Sequence, residues 1–388
     1  EIFQKTCQAT YTLTGKQLVS AGSHDEMAFE VARTIRDNAV KGVKPWSNLY
    51  KSTIIISSSS EWPEPDFVFD DQQKFTYGFE FKPPDAVRRE YILGVGQALA
   101  YLNRFSFSTL VLPTVAEGFD IAKYVGSLIK NMPLKIGLIS YEPKDLYSLK
   151  VVVPYPKQPV GPLQKSATIG KVFWAFWMDE SIHEFYLMMR ESYRQRARRG
   201  DTKESVFKKV FGKMKNGKTH ANNGKLRKLG KSLKFSSWFL NYKLPFLHCG
   251  LWSLDGKLTL VGTRILTVGD AFGWDSVEFR NALAKAYLEN GKHLLLMKYI
   301  WNIQVNAINE GVKHANTKDY LDFMAKELLR MGFGRALRGV RRNLQAMISL
   351  WGGGFNLLKK KGNSYYFPRF GLVFDWGKIT SILQATYW

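Results

Sequence analysis

The chain has 388 residues, 45% of them hydrophobic and 14% aromatic. That excludes a disordered polymer and is ample for two domains with sizeable cores. Its 56 Lys and Arg face 33 Asp and Glu, a net charge of +23, so a partner dense in negative charge is expected. Nucleic acid comes first, because phosphates neutralised by Lys and Arg release counterions; an anionic membrane surface comes second. Cys7 and Cys249 make neither a disulfide framework nor a zinc site. No apolar run reaches the roughly 18–20 residues of a membrane span. The opening "EIFQKTCQAT" lacks the basic-then-apolar pattern of a signal peptide. A cytoplasmic protein is therefore the expectation, in line with the sparse cysteines.

In chain order, residues 21–40 read as a helix. Ser23 and Glu26 form a capping box, and Met27, Val31 and Ile35 make one apolar stripe. "STIIISSSS" reads as a strand. "PDFVFDDQQKFTYGFEFK" reads as two strands with a turn near "DDQQK", where Asp70 and Asp71 are taken as turn residues. Residues 85–105 form a long helix. Strand, helix, strand and strand follow through "SLKVVVPYP". This order implies an α/β fold, a mixed sheet flanked by helices, over residues 1–155. Pro154, Pro156, Pro159 and Pro162 deny backbone donors to any sheet, so a linker or domain edge is expected there. Residues 156–388 read as a mostly α-helical region.

The strand Phe75–Lys82 carries the sharpest signal. Period-two alternation puts Phe75, Tyr77, Phe79 and Phe81 on a buried face, with Thr76, Gly78, Glu80 and Lys82 on the other. If "DFVF" pairs with it through the short turn, Asp66 comes close to Glu80. Two carboxylates and an ammonium at one point suit a hard divalent ion and an attacking water. A charged, solvated strand face is the plain alternative.

Pro65-Asp66 and "EFK" at Glu80–Lys82, with thirteen residues between the acids, resemble the motif of the PD-(D/E)XK nuclease superfamily, which includes many restriction endonucleases. The resemblance covers roughly residues 20–155. It implies a restriction-endonuclease-like core, Mg²⁺ held by Asp66 and Glu80, and Lys82 assisting the attacking water. It also implies products with 5′-phosphate and 3′-hydroxyl ends. Family members commonly add an acid from the preceding helix, for which Glu30 is the candidate. Some branches carry Gln-x-x-x-Tyr beside the metal site, matched by Gln97 and Tyr101.

Residues 190–234 hold sixteen Lys and Arg against three acids. Arg196, Arg198, Arg199, Asn222, Asn223 and Arg227 are the candidate contacts to phosphates and base edges there. Near 318–388 the order helix, "GFG" turn, helix, hairpin is that of a winged helix. Its second helix carries Arg335, Arg338, Arg341 and Arg342, over a stripe of Leu337, Val340, Leu344 and Ile348. The six histidines show no HxH or HExxH spacing and are expected to be structural or exposed.

The reading is a Mg²⁺-dependent endonuclease acting on double-stranded DNA, a sequence-specific restriction enzyme before a repair, recombination or transposition nuclease. A non-catalytic DNA-binding factor is the alternative of another class. A homodimer would give one active site to each strand of a palindrome.

Overall fold

The structure is a computed structural model that describes residues 24–49, 52–56, 65–70, 75–163, 181–195, 208–213, 219–222, 225–227, 242, 245–253, 257–331, 333 and 336–387. The described residues divide into two compact units, the first running to residue 163 and the second from residue 181.

The first unit is built on a six-stranded mixed sheet. In chain order its strands are β1 (Thr53–Ile56), β2 (Phe67–Asp70), β3 (Thr76–Phe81), β4 (Phe107–Pro113), β5 (Gly137–Glu142) and β6 (Asp145–Val153). They lie side by side in that same order. The pairs β1–β2, β2–β3 and β5–β6 are antiparallel. The pairs β3–β4 and β4–β5 are parallel, each linked through a helix as a parallel pair requires. Those helices are α2 (Arg88–Tyr101) and α3 (Ile121–Asn131). Tyr91, Val95 and Ala98 of α2 share one core with Leu110 and Leu112 of β4 and Val125 and Ile129 of α3. Helix α1 (His24–Val40) packs against β2 and β6 through a buried face that includes Met27, Val31 and Ile35.

The sheet's other core is aromatic. Phe67 stacks on Phe79 with ring centroids 4.8 Å apart, and Phe81 stacks on Tyr141. Phe67 and Phe79 are partners on adjacent strands, and Phe81 meets Tyr141 across β4; Phe79 and Phe81 share one face of β3, as period-two alternation predicts. The second face of β3 differs from the solvated alternative. Thr76, Gly78 and Glu80 are buried as completely as the aromatics, because α2 covers Glu80 and the segment after it, with Phe105 and Ser106, covers Gly78 and Thr76. Asp70 is no turn residue. It closes β2 opposite Thr76 and is 1% exposed. Asp71 and Ser23 lie outside the described residues.

The proline-rich stretch is part of the first unit. The Val160 and Gly161 amides both donate to the Ser106 carbonyl, and Ser106 Oγ donates to the Pro162 carbonyl. The Tyr155 ring packs edge-on against Tyr77. Prolines stop regular structure, but extended chain still packs when its remaining amides find acceptors.

The second unit is mostly helical among the described residues. Its helices are α4 (Ile182–Gln195), α5 (Leu260–Phe272), α6 (Val277–Leu288), α7 (His293–Asn309), α8 (Thr317–Arg330), α9 (Leu337–Ser349) and α10 (Trp376–Gln384). Short pairs β7 (Thr219–His220) with β8 (Leu226–Arg227) and β9 (Tyr366–Phe367) with β10 (Gly371–Leu372) complete it. Helices α5 and α10 were not expected from the sequence. Helix α5 is rich in Gly, Thr and Val, poor helix formers. It stands because Gly262 and Gly269 let it approach Leu251 and Tyr186 closely, and because Thr259 caps its first turn.

The β9–β10 hairpin is pinned by one buried side chain. Gln304 of α7 donates to the Leu372 carbonyl and accepts from the Leu372 amide, and it also accepts from the Tyr320 hydroxyl. Gly371 sits at φ +73, where a Cβ would fall 2.5 Å from Gln304 Oε1. Glycine is therefore required on two counts. Replacing Gln304 with Leu should destabilise the second unit by on the order of 3 kcal/mol, because buried donors and acceptors lose their partner. A urea titration of the full chain measures this; an unchanged midpoint would remove the clamp from the account.

Candidate active site

Register decides which side chains meet. In β2–β3, Phe67 pairs with Phe79 and Val68 with Gly78. One step outward, Asp66 lies opposite Glu80, and its amide donates to the Phe79 carbonyl at 3.0 Å. Asp66, Glu80 and Lys82 then project from one face of the sheet. Helix α2 lies over that face. A Cβ on Gly94 would fall 2.9 Å from Leu110 Cδ1 and 3.0 Å from Lys82 Cε, so the glycine lets the helix sit directly on the lysine stem.

The polar groups under α2 form one chain of bonds. Lys82 Nζ lies 2.8 Å from Glu80 Oε1 and donates to Gln97 Oε1 at 2.9 Å. The Tyr101 hydroxyl donates to Glu80 Oε2. Glu80 is 3% exposed and Lys82 7%. The spacing of Gln97 and Tyr101, one helical turn apart, lets one helix reach both ends of the pair. Phe81 between them turns the other way, into the aromatic core. The backbone is held as well: the Lys82 amide donates to the Val111 carbonyl, and the Tyr141 hydroxyl donates to the Lys82 carbonyl.

Asp66 occupies the more open end, with 20% of its side chain exposed. Its Oδ2 accepts from the Phe81 amide at 2.6 Å. Burial of the carboxyl group, and then the charge of Glu80, push its pKa up to about 7, against the pull of His24, the Phe81 amide and Lys82. His24 is the neighbour that the sequence did not reveal. It is the first residue of α1, and its Nε2 lies 3.1 Å from the Phe81 carbonyl and 3.7 Å from Asp66 Oδ1. Burial pulls the His24 pKa down, but Asp25, Asp66 and the Phe81 carbonyl outweigh it and bring the imidazole up to about 9. An isolated histidine at a helix start has no sequence signature. Only the path of α1 across the sheet brings it here.

Glu30 does not join this group. It pairs with Arg33 at 3.1 Å and accepts from the Tyr147 hydroxyl of β6 at 3.4 Å. Position 30 therefore faces the β6 side of the sheet. Among the described residues, no group of three or more His, Cys, Asp or Glu is placed to hold a metal ion.

The expected DNA contacts divide. Arg196, Arg198, Arg199, Asn223 and Arg335 lie outside the described residues, and of Arg227 only the backbone, in β8, is described. Asn222 serves the fold: its Oδ1 accepts from the Ile182 amide at the start of α4. On α9, Val340, Leu344 and Met347 form the buried stripe, while Leu337 and Ile348 are half-buried. Arg341 pairs with Asp322 of α8 at 2.9 Å. Arg338 and Arg342, one turn apart, are exposed. Among the described residues no helix is long and apolar enough to cross a membrane. No protein-family model matches the chain, and no curated protein matches it either.

The Asp66 and His24 shifts act on stability with one sign. Each group holds its proton more tightly in the fold than in the unfolded chain. The Asp66 contribution is complete below about pH 4 and is lost as pH rises through about 7. The His24 contribution is lost as pH rises through about 9. Asp66→Asn should remove the decline between pH 4 and 7 and leave the variant more stable than wild type at pH 8. Urea midpoints from pH 4 to 9 for both proteins check this; parallel curves would mean that Asp66 ionises as an ordinary carboxyl.

Proposed function

We propose that the chain is a Mg²⁺-dependent endonuclease that hydrolyses phosphodiester bonds in double-stranded DNA, on a core of the PD-(D/E)XK kind that its motif residues resemble. One observation carries the reading: Asp66 and Glu80 are opposed on paired strands, and the Lys82 ammonium lies against Glu80 on the same face. The donor set suits a hard divalent cation, which takes one or two carboxylates and completes its shell with water and phosphate oxygens. Burial and then the charge of Glu80 raise the cost of ionising Asp66, which is the condition that a bound cation relieves.

Asp66 and Glu80 would hold the ion, and bound there it would supply charge stabilisation at the scissile phosphate. The chain's own groups do the rest. Tyr101 and Lys82 fix the two Glu80 oxygens, so that the carboxylate cannot rotate away. Gln97 fixes the Lys82 ammonium from the far side. Held so, Lys82 is positioned to hydrogen-bond the attacking water and to stabilise negative charge as it develops. In-line attack on phosphorus breaks the P–O3′ bond and leaves 5′-phosphate and 3′-hydroxyl ends.

The second unit suits DNA contact in form. Helices α8 and α9 with the β9–β10 hairpin follow the order of a winged helix, and Arg338 and Arg342 lie on the exposed side of the second helix. The finer reading is a sequence-specific restriction endonuclease. With Mg²⁺, plasmid DNA should then give discrete bands. A smear or branch-specific cutting would identify a nuclease that recognises DNA structure. Lack of cutting with every divalent metal would leave a DNA-binding factor.

Asp66→Ala and Glu80→Ala should abolish cutting, and Lys82→Ala should slow it by about 10²–10⁴-fold. All three should still bind DNA in a gel-shift assay. Unchanged cutting by Asp66→Ala would sink the site assignment. Mg²⁺ affinity, read by calorimetry, should rise about tenfold per pH unit up to about pH 7 and then level, because the ion competes with the Asp66 proton.

A further inference from the structure

The strands of the β9–β10 hairpin have two residues each, too few to stand alone in water. The core of the second unit holds them instead. The Gln304 carboxamide takes both the amide and the carbonyl of Leu372, and the Tyr366 hydroxyl donates to the His314 carbonyl. Leu372, Val373 and Phe374 are buried, and the Tyr366 ring lies 5.1 Å from that of Tyr320.

The tip of the hairpin is the opposite. Phe367, Pro368, Arg369 and Phe370 make one turn, closed by the Phe370 amide donating to the Phe367 carbonyl at 3.0 Å. Proline in the second place restricts the backbone of this turn, and Gly371 at φ +73 follows directly. Pro368, Arg369 and Phe370 are exposed, Phe370 to 47%. A lone exposed ring needs no explanation. This one sits on a preorganised turn, beside an arginine, in a strongly basic segment.

The charge of that segment narrows the partner. Residues 355–375 hold Lys359, Lys360, Lys361 and Arg369 against one acid, Asp375. Asp375 is already used, since it caps α10 by accepting from the Lys378 amide. The four cations are exposed, and no carboxylate pairs with their side chains among the described residues. The Lys360 ammonium lies over the Tyr365 ring, 5.3 Å from its centre. Unlike Lys285 and Arg341, these side chains are not spent on carbonyls or carboxylates of the fold. A polyanion fits such a segment.

The ring then distinguishes among polyanions. Phosphate offers it nothing, whereas stacked bases offer an apolar surface. Proteins that bind the minor groove set arginine in it and push an apolar side chain, phenylalanine among them, between base pairs. The insertion unstacks the step and kinks the duplex, so the tip must be stiff enough not to fold back. The Gln304 clamp, Pro368 and the turn bond supply that stiffness.

We propose that the Pro368–Phe370 turn is a wedge for the minor groove of double-stranded DNA. Arg369 lies in the groove and Phe370 inserts between two base pairs. Lys359, whose amide donates to the Val373 carbonyl, and its neighbours Lys360 and Lys361 hold phosphates. The second unit thereby reads how easily a DNA step unstacks. This deepens the proposed function and rests on the DNA-binding part of that reading, not on its catalytic site.

Gel shifts of the full chain in EDTA, where a Mg²⁺-dependent enzyme cannot cut, test the wedge. Two short duplexes of one sequence are compared, one fully paired and one with a single central mismatch. Wild type should prefer the mismatched duplex by about tenfold, because the mismatch has already met part of the unstacking cost. Phe370→Ala should bind the two duplexes alike. Arg369→Ala should keep the preference but weaken both by about tenfold, the loss of one charge-assisted contact. Both substitutions fall on exposed turn positions, and unchanged urea midpoints check that the fold is kept. The wedge is overturned if wild type binds the two duplexes equally, if Phe370→Ala retains the preference, or if neither duplex binds. Cutting of plasmid DNA with Mg²⁺ separates this failure from that of the nuclease reading. Cutting without a mismatch preference removes the wedge alone, and a preference that depends on Phe370 without cutting removes the nuclease alone.

Discussion

The buried pair of Glu80 and Lys82 is the constraint around which the first unit is arranged. Two charges taken out of water cost several kcal/mol each, and their mutual attraction offsets this only if every remaining donor and acceptor is met. The neighbours meet that demand. Tyr101 takes the second Glu80 oxygen and Gln97 takes the ammonium. Both come from one helix, which lies close enough because position 94 is glycine. An apolar pair of the same volume would fill this space at less cost. The arrangement is therefore better explained by what the charges do than by what they add to stability.

Asp66 stands in a different physical position. It is one strand away, at the open end of the same face, and shares its surroundings with His24 rather than with α2. Glu80 is locked by two donors from the side, whereas Asp66 is held by a backbone amide and a titratable imidazole. Asp66, whose side chain is 20% exposed, has a charge that depends on pH near neutrality. This divides the site into a fixed inner half and a responsive outer half.

Much of this was legible in the sequence because it rests on short-range periodicity. Alternation along β2 and β3 placed Asp66, Glu80 and Lys82 on one face, and a four-residue interval placed Gln97 and Tyr101 on one side of α2. What escaped depends on how elements pack. Nothing in "GFEFK" states that a helix will roof the charged side, so a solvated face stood as an alternative. The position of His24 and the diversion of Glu30 to Arg33 and Tyr147 both follow from the path of α1 across the sheet. Helix α5 was missed because local propensity opposed a helix that tertiary contacts impose.

The same distinction governs how the net charge of +23 is read. In the second unit the described cations perform several jobs. Lys285 donates to the Leu383 and Ala385 carbonyls at the end of α10, as a cation at a helix C-terminus does. Lys213 and Arg194 neutralise Glu191, and Arg341 ties α9 to α8 through Asp322. Arg338 and Arg342, on the same helix as Arg341, remain exposed. Four arginines in eight residues looked like one recognition surface in the sequence, yet one of the three that can be placed is a structural tie. Counting positive charge therefore overstates the surface offered to a polyanion. The discriminating quantity is how many cations remain after the carbonyls and carboxylates of the fold have taken theirs.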